Sequence, residues 1–329
     1  MHNLRVIVFL FLLLTLGCEK KSQSSGNESL LAVDESIFEK GVSQGKLDSK
    51  ELSEASGLAS SVNNPNMLWT HNDGGDKARI FLIDKQAHLK AIVWFDKTEN
   101  RDWEAMAVGP GPVAGKTYVY VGDIGDNKAK YDFKFIYRVE EPTIDWAKNV
   151  DTTLTNIDRI KFQYSDGSRD AESLMIDPLT RDIYVISKRE EKVNLYRLPY
   201  PQSTTEKITA ELTVAQLEFN QYEEKVYSQQ GNEKLTNGYH SDFYNQIVSA
   251  SISKDGSEML IKSYSSVYYW KRNQGETVAD MIKRMPIRLP YIPEPQGEAI
   301  TFDVNGEGYF TVNEEFSKNP QKLFFYRRK

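Results

Sequence analysis

The chain has 329 residues, a formal net charge of −6 at pH 7 and one cysteine. The acidic balance argues against nucleic acid and anionic lipid surfaces as partners. A single cysteine excludes disulfides within the chain, so packing alone must stabilise the fold. The length is sufficient for one large all-β domain.

The N-terminal segment is typical of an exported protein. An apolar run follows Arg5 and is too short to span a membrane as a helix. The end of this run, with Gly17 before Cys18, resembles a bacterial lipoprotein signal, although Thr15 stands where leucine is usual. The resemblance implies a signal peptide over residues 1–17 and a lipid on Cys18.

Residues 18–37 are polar and rich in Gly and Ser, which predicts a flexible tether. Glu19 follows the cysteine, and the same resemblance then implies the outer membrane, with the protein facing the periplasm or the cell surface. The protein would contact the membrane through the N-terminal lipid only. The alternative for Cys18 is a single unpaired thiol in an exported protein.

Residues 38–329 predict one domain built from an internal repeat. Each repeat begins with an acidic or polar residue, a small residue and an apolar run, followed by short runs rich in Val, Ile, Tyr and Phe between turn residues. The copies are "SEASGLA" (53–59), "NRDWEAMAV" (100–108), "SRDAESLMI" (168–176) and "PQGEAITF" (295–302). A degenerate copy at 248–272 has Ser249 where a glutamate is expected.

Four short antiparallel strands per repeat predict an all-β fold, a single β-propeller with five blades. A sixth blade stays open, because residues 220–246 are either an insertion or a worn repeat. The last repeat lacks an outer strand, and residues 41–47 are expected to supply it and close the ring. A β-sandwich or barrel is the alternative architecture.

In such a ring, the starts of the innermost strands and the ends of the second strands meet at one face, the top. Residues two apart on a strand share a side, so Asp102 and Glu104 both point at the axis. The second-strand ends bring His71, Asp73, Asp123, Asp126, Asn127, Lys188, Arg189, Asn313 and Glu314. The predicted metal ligands are Asp102, Glu104, Asp123, Asp126, Asp170, Glu172 and Glu298.

Clustered carboxylates repel one another unless something compensates their charge. Ca²⁺ fits, because it takes six to eight oxygen ligands and the set contains no thiol. Salt bridges from Arg101 and Arg169 are a second solution, and hydrogen-bonded carboxylates with raised pKa values that staple the blades together are a third. His71 beside Asp73 is the candidate catalytic pair, with the histidine as general base, although a lone histidine is more often a hydrogen-bonded loop residue.

The stretches "EASGLA", "DWEAMA" and "QGEAIT" resemble the strand-start motifs of phytase-like esterase propellers and of related gluconolactonase- and paraoxonase-type proteins. The resemblance spans roughly residues 50–327 and implies a channel Ca²⁺ that acts as a Lewis acid in ester, lactone or phosphoester hydrolysis. It implies acidic channel positions at Asp102, Glu104, Asp170, Glu172 and Glu298. This chain departs from the motif at Ser56 and Ser249, so the resemblance supports the fold better than the activity.

Two functions therefore remain at this point. The first is a metal-dependent hydrolase of the cell envelope. The second is a non-catalytic propeller that binds a small molecule or a protein at its top face. A monomer is expected in both cases, and the fold class does not decide whether the protein is an enzyme.

Overall fold

The computed structural model describes residues 31–145, 151–219, 246–315 and 320–329. The predicted signal peptide, Cys18, most of the tether and nearly all of residues 220–246 lie outside the described residues. Within the described part, the chain forms strands and one short helix, α1 (Val278–Lys283), which Thr277 caps. None of the described helical residues forms a segment long and apolar enough to cross a membrane.

The described strands lie in four sheets, and their order within each sheet follows the hydrogen bonding. The first sheet contains β2 (Ala55–Ser60), β3 (Met67–Asn72), β4 (Arg79–Asp84), β5 (Leu89–Phe95) and β9 (Thr152–Leu154). The second contains β11 (Ala171–Ile176), β12 (Ile183–Ser187), β13 (Val193–Leu198), β14 (Ile208–Leu217), β10 (Asp158–Tyr164), β8 (Lys134–Glu140), β7 (Thr117–Asp123) and β6 (Trp103–Pro110).

The other two sheets have four strands each. The third contains β15 (Ile247–Ile252), β16 (Glu258–Ser263), β17 (Val267–Lys271) and β18 (Ile287–Leu289). The fourth contains β1 (Val42–Lys46), β21 (Lys322–Arg327), β20 (Gly308–Asn313) and β19 (Gly297–Phe302).

The all-β prediction is confirmed, but the hydrogen bonds do not divide the chain into five separate four-stranded antiparallel sheets. Strand β9 adds to the first sheet parallel to β5, and β10 pairs with β14 in parallel, which joins two repeats into one eight-stranded sheet. Both parallel pairs form at the outer edge of a repeat: β9 ends the first sheet, and β10 with β14 lies in the middle of the eight-stranded sheet. An unpaired strand edge favours pairing with a neighbouring strand.

The first strand of each repeat packs against the first strands of two other repeats. Strand β2 contacts β6 and β19, β6 contacts β11, β11 contacts β15, and β15 contacts β19. We call these five strands the inner ring. They are buried on both sides, which explains their continuous apolar runs, whereas outer strands such as β5 and β10 alternate between buried and partly exposed residues.

The N-terminal strand completes the last repeat, as the sequence predicts. Strand β1 pairs with β21 in antiparallel fashion. Just before it, Phe38 is fully buried and meets the ring of Tyr309 edge-on with centroids 5.0 Å apart. Val33 and Asp34, which the sequence analysis assigns to the tether, already contact Arg288 of β18. The described chain is therefore held to the domain before residue 38.

Candidate functional site

Every inner strand carries a β-bulge at its repeat motif. The pairing with the second strand skips one residue in each case, for example Glu104 between Trp103 and Ala105. A bulge leaves one residue unpaired and turns its side chain away from the regular alternation. The skipped residues are Ser56, Glu104, Glu172, Val248 and Glu298. The motif acids thus occupy the same structural position around the inner ring.

The bulges correct one sequence alignment. Ser249 was expected in the glutamate position of the degenerate repeat, but it pairs with Lys262, and Val248 is the skipped residue. Ser249 instead accepts a hydrogen bond from the backbone N–H of Ile300, at 3.1 Å. The bulge position therefore has an apolar side chain in this repeat, and the acidic ring contains three glutamates.

A second layer of side chains comes from the residues that follow the second strands. These residues are Asp73, Ile124, Lys188, Tyr264 and Glu314. Tyr264 donates a hydrogen bond to Glu298 Oε1 at 2.6 Å, and Lys188 forms an ion pair with Glu172. The two layers are thus in contact at the top of the inner ring.

One half of this site is electrostatically compensated. Lys188 is only 3 % exposed, pairs with Glu172, and lies 3.1 Å from the Tyr264 hydroxyl. Burial opposes the lysine charge, but the carboxylates of Glu172 and Glu298 outweigh it and raise the lysine pKa. The lysine therefore keeps its charge and neutralises part of the acidic ring.

The other half has three carboxylates without such compensation. Oxygen atoms of Asp73, Asp102 and Glu104 all lie within 4.8 Å of one another. In the described part of the chain, these three side chains form no ion pair, and Glu104 Oε2 has a long contact of 3.4 Å with the Ser56 hydroxyl. We call these three residues the open acidic triad.

The pKa values of the triad reflect its burial and the neighbouring carboxylates. Burial, together with the charges of Glu298 and Asp102, raises the pKa of Asp73 to about 7. Burial and Asp170 raise the pKa of Asp102, and burial and Glu172 raise the pKa of Glu104 well above its ordinary value. Without a cation, the triad therefore retains protons near neutral pH.

Two glycines allow the backbone to pack directly against the triad. A Cβ at Gly74 would lie 2.6 Å from Asp102 Oδ1, and a Cβ at Gly125 would lie 2.6 Å from Glu104 Oε1. Any side chain at these positions would force the carboxylates to move. The glycines therefore form a close-fitting cradle around Asp102 and Glu104.

Two buried carboxylate oxygens nearby also lack hydrogen-bond partners in the described structure. They are Glu172 Oε2 and Glu314 Oε1. Burial, followed by the charge of Glu298, raises the pKa of Glu314 to about 10, so this carboxyl is protonated near neutral pH. Buried polar atoms without a hydrogen bond are costly to a fold.

Three of the predicted metal ligands lie in ion pairs outside the triad. Asp170 pairs with Arg189 at 2.5 Å, and Asp126 pairs with Lys134 at 2.7 Å. Asp123 lies 3.2 Å from Arg101, and burial raises its pKa to about 6. The structure brings together Asp102, Glu104, Glu172 and Glu298 from the predicted ligand set, and it adds Asp73.

The two residues of the predicted catalytic pair differ in their exposure to solvent. His71 is completely buried, its Nδ1 lies 2.8 Å from the Asn72 carbonyl oxygen, and its ring meets Trp103 edge-on at 5.8 Å between centroids. Burial lowers the pKa of His71 to about 4, so the ring is neutral at pH 7. Asp73 is partly exposed and belongs to the triad.

Tyr264 is the site residue that the sequence analysis did not select. It follows the second strand of the degenerate repeat, as Lys188 does in the preceding one. The rule that selects the residue after each second strand would also have selected Tyr264. The degenerate repeat has no motif glutamate, so the sequence did not indicate a hydrogen-bond partner for this tyrosine.

No protein-family model and no curated protein matches the chain. Solved structures with detectable similarity include the WD40 repeats of RRP9, with TM-score 0.39 and 11% identity over 83% of this chain and 79% of that one. A luciferin-regenerating enzyme has TM-score 0.42 and 11% identity over 84% and 93%. Hydrazine synthase of Kuenenia stuttgartiensis has TM-score 0.41 and 9% identity over 84% and 83%. These likenesses are too distant to support an activity or a ligand for this chain.

The raised pKa values predict a pH dependence of stability. The folded pKa of Asp73 is about 7 against an ordinary value of 3.8, so its protonated form stabilises the fold. This contribution is complete below the ordinary value and is lost as the pH rises through about 7. We therefore expect the cation-free protein to melt at a lower temperature at pH 8 than at pH 5. Asp73→Asn should reduce this decline when both proteins are melted in EDTA, and identical pH profiles would contradict the prediction.

Proposed function

We propose that the protein is a five-bladed β-propeller whose central channel binds a divalent cation, with Ca²⁺ preferred. Five blades follow if the eight-stranded sheet is counted as two blades joined by the parallel pair of β10 and β14. The five-membered inner ring and the bulge in each of its strands support this count. The cation site is the open acidic triad.

The observation that carries the proposal is the uneven compensation of the channel acids. Glu172 forms an ion pair with Lys188 and Glu298 accepts a hydrogen bond from Tyr264, whereas no side chain of the triad forms an ion pair in the described chain. A divalent cation beside Glu172 and Glu298 would be repelled by Lys188. The triad is therefore the favoured binding site for the cation. Its donors are all oxygens, as Ca²⁺ requires, and the glycine cradle holds two of them in position.

Ester, lactone or phosphoester hydrolysis at this site is the second candidate. A cation held by Asp102 and Glu104 would polarise the carbonyl or phosphoryl oxygen. Asp73 is partly exposed and lies beside Asp102 and Glu104, where it is placed to accept the proton of an attacking water. The water oxygen bonds to the carbon or phosphorus, the bond to the leaving oxygen breaks, and the proton passes to that oxygen. This proposal leaves out His71, because its ring is fully buried.

Calorimetric titration of EDTA-treated protein tests the cation site. We expect heat from Ca²⁺ binding with a stoichiometry of one, and weaker binding of Mg²⁺, which demands a more regular octahedral site. A titration without heat would reject the cation and leave the carboxylates as staples between blades.

A substrate screen tests hydrolysis separately. p-Nitrophenyl butyrate, bis-p-nitrophenyl phosphate and a γ-lactone are assayed with Ca²⁺ and with EDTA, for the wild type and Asp73→Asn. Turnover that EDTA and Asp73→Asn both abolish is the expected result. Cation binding without any turnover would favour the non-catalytic alternative, a propeller that binds a small molecule or protein at its top face.

We further propose that the protein is a monomer anchored to the bacterial envelope by a lipid on Cys18. The support is the N-terminal sequence alone, since Cys18 lies outside the described residues. Cys18→Ser is expected to release the protein from the membrane fraction or to block its processing. A variant that fractionates with membranes as the wild type does would reject the lipid anchor.

A further inference from the structure

A cavity of about 360 Å³ lies at the end of the inner ring opposite to the triad. The last residues of all five inner strands line it, from Ser60 of β2 to Phe302 of β19. Ala107 in this wall is three residues beyond Glu104 on β6, which places the cavity roughly 10 Å from the bulge layer at about 3.3 Å per residue. We call it the lower cavity.

Most residues that line the lower cavity are apolar. Val62, Ala107, Val108, Ile252 and Val304 are among them. Its hydroxyl groups are already engaged between strands: Ser60 donates to the Phe302 carbonyl oxygen at 2.6 Å, and Ser251 accepts from the Phe302 N–H at 3.4 Å. A ligand would therefore meet mainly hydrocarbon.

The charged groups of the lower cavity leave a net positive rim. Asp303 forms an ion pair with Lys85 at 2.5 Å, and Lys116 forms an ion pair with Glu140. Lys254 is exposed, and the described part of the chain provides no carboxylate partner for it. An apolar wall with one available cation is complementary to an amphipathic anion.

We propose that the lower cavity binds a small monocarboxylate with a rigid apolar body. The body occupies the cavity, and the carboxylate meets Lys254 at the rim. The volume fits this class, because a cavity of about 150 Å³ accommodates benzene and ligand pockets begin at about 300 Å³. This site does not depend on the cation site, since the triad lies at the other end of the inner ring.

The probes are 2-naphthoate and its neutral analogue 2-naphthalenemethanol, titrated by fluorescence at pH 7 in EDTA so that no cation can ligate the carboxylate. We expect saturable binding of 2-naphthoate and at least tenfold weaker binding to Ala107→Leu, which fills the cavity. Ile252→Phe serves as a second filling variant if Ala107→Leu does not fold. Lys254→Gln should weaken 2-naphthoate several-fold and leave the alcohol unchanged.

Two controls locate the effect. Lys283→Gln removes an exposed lysine of α1 and should leave both affinities unchanged. Asp102→Asn alters the triad and should also leave both affinities unchanged. The test of the lower cavity therefore gives its result whether or not the triad binds a cation. Absence of saturable binding, or binding that a folded filling variant does not weaken, would overturn the proposal. Equal loss of the acid and the alcohol in Lys254→Gln would overturn the role of the lysine.

Discussion

Asp102→Asn is expected to abolish the stabilisation of the protein by Ca²⁺. A bound cation stabilises the folded state by about 2.7 kcal/mol at a concentration a hundred times its Kd. At roughly 2–4 °C per kcal/mol for a domain of this size class, the wild type should melt roughly 5–10 °C higher with Ca²⁺ than with EDTA. The variant lacks one of the three triad charges and should melt at the same temperature in both conditions.

The same variant gives a second result of opposite sign. In EDTA, the triad carboxylates repel one another, and Asp102→Asn removes part of that repulsion. The variant should therefore be at least as stable as the wild type without Ca²⁺. If the carboxylates are staples instead, the substitution destabilises the protein and EDTA has no effect on either protein.

Glu54→Gln is the matched control for this experiment. Glu54 precedes the bulge of β2 by two residues, as Asp102 precedes the bulge of β6, but it is exposed and outside the triad. Its replacement should leave the response to Ca²⁺ intact. A loss of the response in Glu54→Gln as well would show that the effect comes from net charge and not from the triad.

Lys188→Met is expected to cause the largest loss of stability. The lysine is 3 % exposed and neutralises Glu172 within the acidic ring. Removal of one partner from a buried ion pair typically costs about 3–5 kcal/mol, because the other charge stays buried without compensation. The free energy of unfolding in urea should decrease by this amount at neutral pH.

The pH and a second substitution show whether the uncompensated charge is the cause. The loss in Lys188→Met should become smaller as the pH is lowered, because burial raises the pKa of Glu172 and protonation removes its buried charge. The double variant Lys188→Met, Glu172→Gln should recover part of the stability. A loss that neither condition reduces would indicate a packing defect instead.

Lys192→Met is the control for this substitution. Lys192 lies in the same repeat and pairs with Glu218 at 3.0 Å, but both side chains are 43 % exposed. Exposed ion pairs contribute little to stability, so this variant should remain close to the wild type. A similar loss in both lysine variants would contradict the special role of Lys188.

The local patterns of the chain were sufficient for several features. The strand-start motifs predicted the five inner strands, and the incomplete last repeat predicted that β1 would pair with β21. The two-residue spacing of Asp102 and Glu104 predicted that their side chains would lie together. These features depend on side-chain periodicity and strand propensity, which act over a few residues and are visible in a sequence.

The sequence by itself therefore determined the all-β class, the repeat and the acidic motif, because each depends on neighbouring residues. Only the tertiary structure decided the parallel pairs at the outer edges, the place of Val248 in the bulge layer, and the separation of compensated from uncompensated acids. The tertiary structure also brings Arg189 to Asp170 and Lys134 to Asp126, which the sequence did not predict. Tertiary packing also buried His71 and assembled the lower cavity from five distant strands. Ion pairs and strand register depend on contacts between segments that are distant in the sequence. These contacts form only when the whole chain packs.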